Sequence, residues 1–106
     1  MKEIVYNKLV RDRIPQIIEE SGKRCETEIL SNERYLQMLD KKLNEELAEY
    51  QTEKNIEELA DLLEVVYAVA KARGCSIAKL EHIRGEKKET RGGFDKKIFL
   101  IKVTED

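Results

Sequence analysis

Two acidic pairs with helical spacing sit in the middle of the chain: Glu46 and Glu49, then Glu58 and Asp61, with Glu45 adjoining the first pair. Carboxylate oxygens are hard ligands that select hard divalent cations, so four of them converging on one patch would hold Mg2+, with Mn2+ as a substitute. An ion held in this way clamps phosphate oxygens and activates a water, which is the chemistry of phosphoryl transfer to water. Other metal chemistries fit less well. A ferritin-like di-iron centre needs E-x-x-H pairs in a bundle core, but the single histidine, His82, directly follows Glu81 and lies on another segment. Zinc would call for a cysteine–histidine constellation, and none exists.

Spacing alone is weak support, because glutamate is a good helix former and most acidic pairs at i, i+3 are solvated surface. Glu57 and Glu64 read in that way, and Glu58 would also serve as a capping residue. The pattern of the two central helices strengthens the case. At about 100° per residue, Tyr35, Leu36, Leu39, Leu43, Leu47 and Tyr50 form one apolar stripe over residues 33–51. Glu46 falls inside that stripe, Glu49 lies at its edge, and Glu45 points nearer to solvent. A carboxylate in an apolar interface must be protonated, paired or metal-bound. The next helix begins at Asn55, with Glu58 at capping-box spacing, and runs to about Arg73 before Gly74. Leu59, Leu62, Leu63, Val65, Val66 and Val69 make it apolar over more than half its circumference, so it is packed on several sides. Glu58 and Asp61 border that zone. A short turn makes the two helices antiparallel neighbours, which places Glu46 and Glu49 beside Glu58 and Asp61.

Around this pair the sequence predicts a first helix over 12–21, with Pro15 near its start and Gly22 as its stop, and a fourth from Ser76 to about Lys88. Residues 25–30 and 97–103 read as strands that pair in an antiparallel sheet. The expected fold is therefore mainly α, an antiparallel helical bundle with a small two-stranded antiparallel β-sheet. The length of 106 residues suits one domain over 1–106. No apolar run approaches the roughly 18–20 residues of a membrane span, and no signal-peptide pattern opens the chain, so a cytoplasmic, soluble protein is expected. Cys25 and Cys75 lie far apart and read as free thiols. Although 40% of residues are charged, 20 Lys and Arg balance 22 Asp and Glu, which argues against a nucleic-acid polymer or a membrane surface as partner.

The segment Glu45-Glu46-Leu47-Ala48-Glu49, followed by Glu58-Leu59-Ala60-Asp61-Leu62-Leu63-Glu64-Val65-Val66, resembles the E-E-x-x-E … E-x-x-D signature of the all-α nucleoside triphosphate pyrophosphohydrolases. These include the MazG-like proteins and the phosphoribosyl-ATP pyrophosphohydrolases. The opening Tyr6-Asn7-Lys8-Leu9-Val10-Arg11-Asp12-Arg13-Ile14-Pro15 and the later Arg91-Gly92-Gly93-Phe94 resemble a compact, single-domain branch of that superfamily. The resemblance implies that Glu46, Glu49, Glu58 and Asp61 coordinate Mg2+ bridged to a triphosphate, with Glu45 in a supporting role. It implies hydrolysis of a nucleoside triphosphate, or a phosphoribosyl-ATP-like nucleotide, to the monophosphate and pyrophosphate by a metal-activated water. It also implies a bundle completed by oligomerisation, as a homodimer or homotetramer. One departure is the short connection: eight residues separate Glu49 from Glu58, fewer than in many MazG-like members, which bears on base selectivity.

A triphosphate needs cationic partners as well. Lys8 and Arg11 before the first helix, and Lys88 and Arg91 leading into Gly92-Gly93, are the candidates. The paired glycines permit positive φ, so that loop would also present backbone N–H groups to a phosphate, or form only a helix cap and a tight turn. His82 reads as a surface or partly buried structural residue, and Phe94 as core packing, with stacking on a base as the alternative. A different class of function is compatible with the same residues, namely a non-catalytic homo-oligomeric interaction module or nucleotide sensor whose acidic face is only electrostatic.

Overall fold

A computed structural model describes residues 2–105. It contains four helices in the order expected, and local signals account for their ends. α1 (Ile14–Glu20) starts at the ring of Pro15, whose missing N–H costs nothing in the first turn. It stops at Gly22, which adopts φ +91°. α2 (Asn32–Glu53) is capped by Ser31, whose Oγ accepts from the Arg34 N–H at 3.2 Å. Lys54 ends it in the left-handed conformation, φ 57°. Asn55 then opens α3 (Ile56–Ala72) by accepting from the Glu58 N–H at 3.0 Å. Only this half of the expected capping box forms, because the Glu58 side chain belongs to an acidic group with Glu46 and Asp61 instead. Ser76 caps α4 (Ile77–Arg91). α4 runs three residues beyond the predicted Lys88, so Arg91 is helical and the chain breaks at Gly92, φ +84°.

Tertiary structure centres on one seam. The two-residue link Lys54-Asn55 folds α3 back antiparallel on α2, and α4 packs against α3. Leu39 on α2 and Val65 on α3 are the two buried hydrophobic side chains among the described residues. Tyr35, Leu36, Leu43 and Tyr50 of the predicted stripe are half-buried around them. An ion pair between Arg73 and Asp40 (3.5 Å) ties the far end of the hairpin. α1 packs against none of the other three helices. No helix among the described residues is long and apolar enough to cross a membrane.

The expected β-sheet is not formed. Among the described residues there is no strand, and residues 25–30 and 97–103 run as irregular, unpaired chain. The reason lies in what their side chains meet. Ile29 is 99% exposed, and Ile98, Phe99, Leu100 and Ile101 are also largely exposed, so no helix covers the face that a sheet would bury. Two strands without such cover are marginal in water. Lys97, at φ 59°, closes a turn onto the Phe94 carbonyl rather than entering a ladder.

The molecule is correspondingly elongated, 70 × 31 × 24 Å, with a radius of gyration of 18.8 Å. A compact chain of this size has about 13 Å.

Leu39 carries much of the α2–α3 seam. Leu39→Ala should lower the unfolding free energy by about 2–4 kcal/mol in urea denaturation followed by circular dichroism. Ile29→Ala, at a fully exposed position, should stay within about 0.5 kcal/mol of the parent.

Candidate functional site

The α2–α3 hairpin brings part of the predicted carboxylate set together. Glu46 from α2 and Glu58 and Asp61 from α3 each offer an oxygen, and these oxygens all lie within 4.8 Å of one another. All three side chains are half-buried. Glu58 and Asp61 sit one turn apart on the same face of α3, while Glu46 comes across the seam from the last turns of α2. Three carboxylate oxygens from two helices are the donor type that hard divalent cations take. Glu49 is close enough for its charge to act on Glu58 but lies outside this three-residue group. Glu45 is likewise outside it and pairs with Lys42 at 3.6 Å.

Electrostatic strain falls on Glu58. Partial desolvation, followed by the negative charges of Asp61, Glu49, Glu46 and Glu53, raises its pKa above the ordinary value of 4.5. Two cations oppose this crowding. Lys42 Nζ lies 3.4 Å from Glu46 and 3.6 Å from Glu45, and its side chain is only 18% exposed. The sequence pattern required a compensating partner for Glu46 inside the apolar stripe, and Lys42 is that partner. It stands four residues before Glu46, a spacing that marks a neighbour on the same helix face. The other cation is Arg11, whose Nη2 donates to Asp61 Oδ1 at 2.7 Å. No local pattern could reveal that contact, because the two residues are 50 apart in the chain.

The remaining predicted groups stand elsewhere. Lys8 lies over the Tyr6 ring, 5.5 Å from its centroid. Lys88 and Arg91 occupy the last turn of α4 and make no ion pair with the acidic group among the described residues. Gly93 approaches Lys88 rather than an acidic side chain: a Cβ built there would meet Lys88 Cε at 3.7 Å. His82 pairs with Glu86 at 2.7 Å on the exposed side of α4, in keeping with a structural role. Phe94 is 97% exposed, which corrects its expected place in a core. Its loop lies beyond the end of α4, where no other element covers it. Cys25 and Cys75 are free thiols.

No protein-family model matches the chain, and no solved structure matches it. A stretch of 41 residues is 51% identical to an uncharacterized protein of Mycolicibacterium smegmatis. It covers 39% of this chain and 42% of that relative, so the similarity spans less than half of either.

The raised pKa of Glu58 has a stability consequence whose sign follows from linkage. A carboxyl whose folded pKa is raised favours the folded state in its protonated form. That contribution is present below pH 4.5 and is lost as pH rises through the raised value. Without divalent cations at about pH 7, Glu58→Gln should therefore melt at a higher temperature than the parent. The difference should shrink as pH falls towards 4.5, as read from melting curves by circular dichroism.

Proposed function

We propose that the protein is a Mg2+-dependent hydrolase that cleaves a nucleoside triphosphate, or a phosphoribosyl-ATP-like nucleotide, into a monophosphate and pyrophosphate. The observation that carries this is the meeting of Glu46, Glu58 and Asp61 oxygens within 4.8 Å across two helices. The resemblance of the E-E-x-x-E … E-x-x-D pattern to the all-α, MazG-like pyrophosphohydrolases supplies the reaction class. Bound Mg2+, or Mn2+, would neutralise phosphate charge and acidify a water. The residues of the chain have separate tasks in this reading. Glu46, Glu58 and Asp61 would hold the cation, and Glu49, whose charge reaches Glu58, would be the fourth carboxylate beside it. Glu45, held by Lys42 at the rim, orients the attacking water. Arg11 meets the phosphate oxygens, with Lys8, Lys88 and Arg91 as further cationic candidates. One water is consumed and the anhydride between the α- and β-phosphates is broken. Such an enzyme would act in the cytoplasm.

The same reading includes self-association. The chain exposes 10145 Å², against about 6,100 Å² for a compact monomer of 12.4 kDa. Obligate interfaces bury roughly 2,000–5,000 Å² summed over both partners, about 1,000–2,500 Å² on each, so pairing with a second copy would cover part of the excess. Ile56, Leu59 and Leu63 form an exposed apolar strip along α3, the helix whose sequence is apolar on several sides. This surface, together with the neutralisation of Glu46 by Lys42, also favours a second reading: a non-catalytic homo-oligomeric module, or a nucleotide sensor, in which the acidic group only binds.

Purified protein incubated with a panel of nucleoside triphosphates and phosphoribosyl-ATP should release pyrophosphate only when Mg2+ is present. Glu58→Ala and Asp61→Ala should each cut that turnover by about a hundredfold or more while leaving helicity intact. Undiminished turnover in either variant would sink the metal-site assignment, and Mg2+-dependent binding with no turnover would select the sensor. In sedimentation velocity the parent should run as a dimer or tetramer, and Leu63→Glu should shift it to a smaller species.

A further inference from the structure

The two cations at the acidic group are held in different ways. Lys42 projects from the middle of α2, is mostly buried, and lies within one helical turn of both carboxylates it serves. It is a largely shielded counter-ion that shares a helix face with both its partners. Arg11 precedes α1, which packs against none of the other helices, and the chain around it is exposed. Its pair with Asp61 is 58% and 43% exposed and single-pronged, with Nη2 as the one donor engaged. An ion pair of that exposure is weak and readily exchanged. The guanidinium has five N–H donors in a fork suited to phosphate, and four of them have no side-chain acceptor among the described residues.

We propose that Arg11 is an exchangeable counter-ion: it holds Asp61 while the acidic group lacks a divalent cation, and passes to phosphate oxygens of the nucleotide when the cation takes Asp61. This inference rests on the metal site and triphosphate substrate proposed above. The guanidinium and a divalent cation compete for one carboxylate, so Arg11 weakens binding of the bare cation. The same side chain strengthens binding of the cation–triphosphate pair, since its freed donors then meet anionic oxygens. α1, which follows Arg11, packs against none of the other helices, so no helix–helix contact has to break if it moves with Arg11. A side chain that only fastened the N-terminal segment to the hairpin would compete with the bare cation for Asp61 but would not strengthen binding of the cation–triphosphate pair.

Isothermal titration distinguishes these roles without turnover. Mn2+ alone should bind Arg11→Gln about three- to fivefold more tightly than the parent, because a competing cation has been removed. The non-hydrolysable analogue α,β-methylene-ATP, titrated in the presence of Mg2+, should bind Arg11→Gln about tenfold more weakly. Arg11→Lys should fall between parent and Arg11→Gln in both titrations, and it carries the comparison alone if Arg11→Gln loses helicity. Unchanged or weaker Mn2+ binding in these variants would overturn the exchange while leaving the metal site standing. A parent that binds no Mn2+ would remove the metal site itself, and the exchange with it.

Discussion

The antiparallel closure of α3 on α2 around Leu39 and Val65 is the constraint on which the candidate site depends. The link between the helices is two residues, Lys54 and Asn55, and both are committed to capping, one in the left-handed conformation and one as an N-cap. Such a short connection leaves the second helix little choice but to return along the first. Packing the two apolar stripes then sets which turns face each other. The carboxylates borne at the edges of those stripes are brought together as a consequence of hydrophobic burial, against their own repulsion.

That repulsion organises the surroundings of the site. Five acidic side chains, Glu45, Glu46, Glu49, Glu58 and Asp61, are met by two basic ones, Lys42 and Arg11. Lys42 answers the desolvation of Glu46 from within the same helix, so the apolar seam can contain a charge without an ion present. Glu58 has no basic partner among the described residues, and its pKa is raised. Unpaired negative charge is therefore felt most at Glu58 on α3, where an added cation would relieve repulsion.

The hairpin and α4 do not by themselves make a full core. Apolar side chains on α3, and those of the segment 98–103, face solvent in the single chain. Charge balance within the site and apolar surface outside it are separate features, and the proposed function uses both: one to hold a cation and a nucleotide, the other to bring copies together.

Much of this was written locally. Caps at Ser31, Asn55 and Ser76 and stops at Gly22, Gly74 and Gly92 depend on backbone groups within a few residues, so the four helices and nearly all their ends were legible from side-chain type and spacing. The convergence of Glu46 with Glu58 and Asp61 was legible too, because helical periodicity and a short turn determine which faces meet. Lys42 was written at i, i+4 spacing from Glu46 but becomes visible only when local ion pairing is weighed along with the apolar stripe. Tertiary structure alone decided the rest. Glu49 falls outside the closest group, Arg11 reaches Asp61 across 50 residues, and Lys88 and Arg91 end on α4 away from the acidic side chains. The two β-like segments failed to pair for the same physical reason: alternation records what a strand would bury, but burial requires a second surface, and no helix of this chain covers residues 25–30 or 97–103.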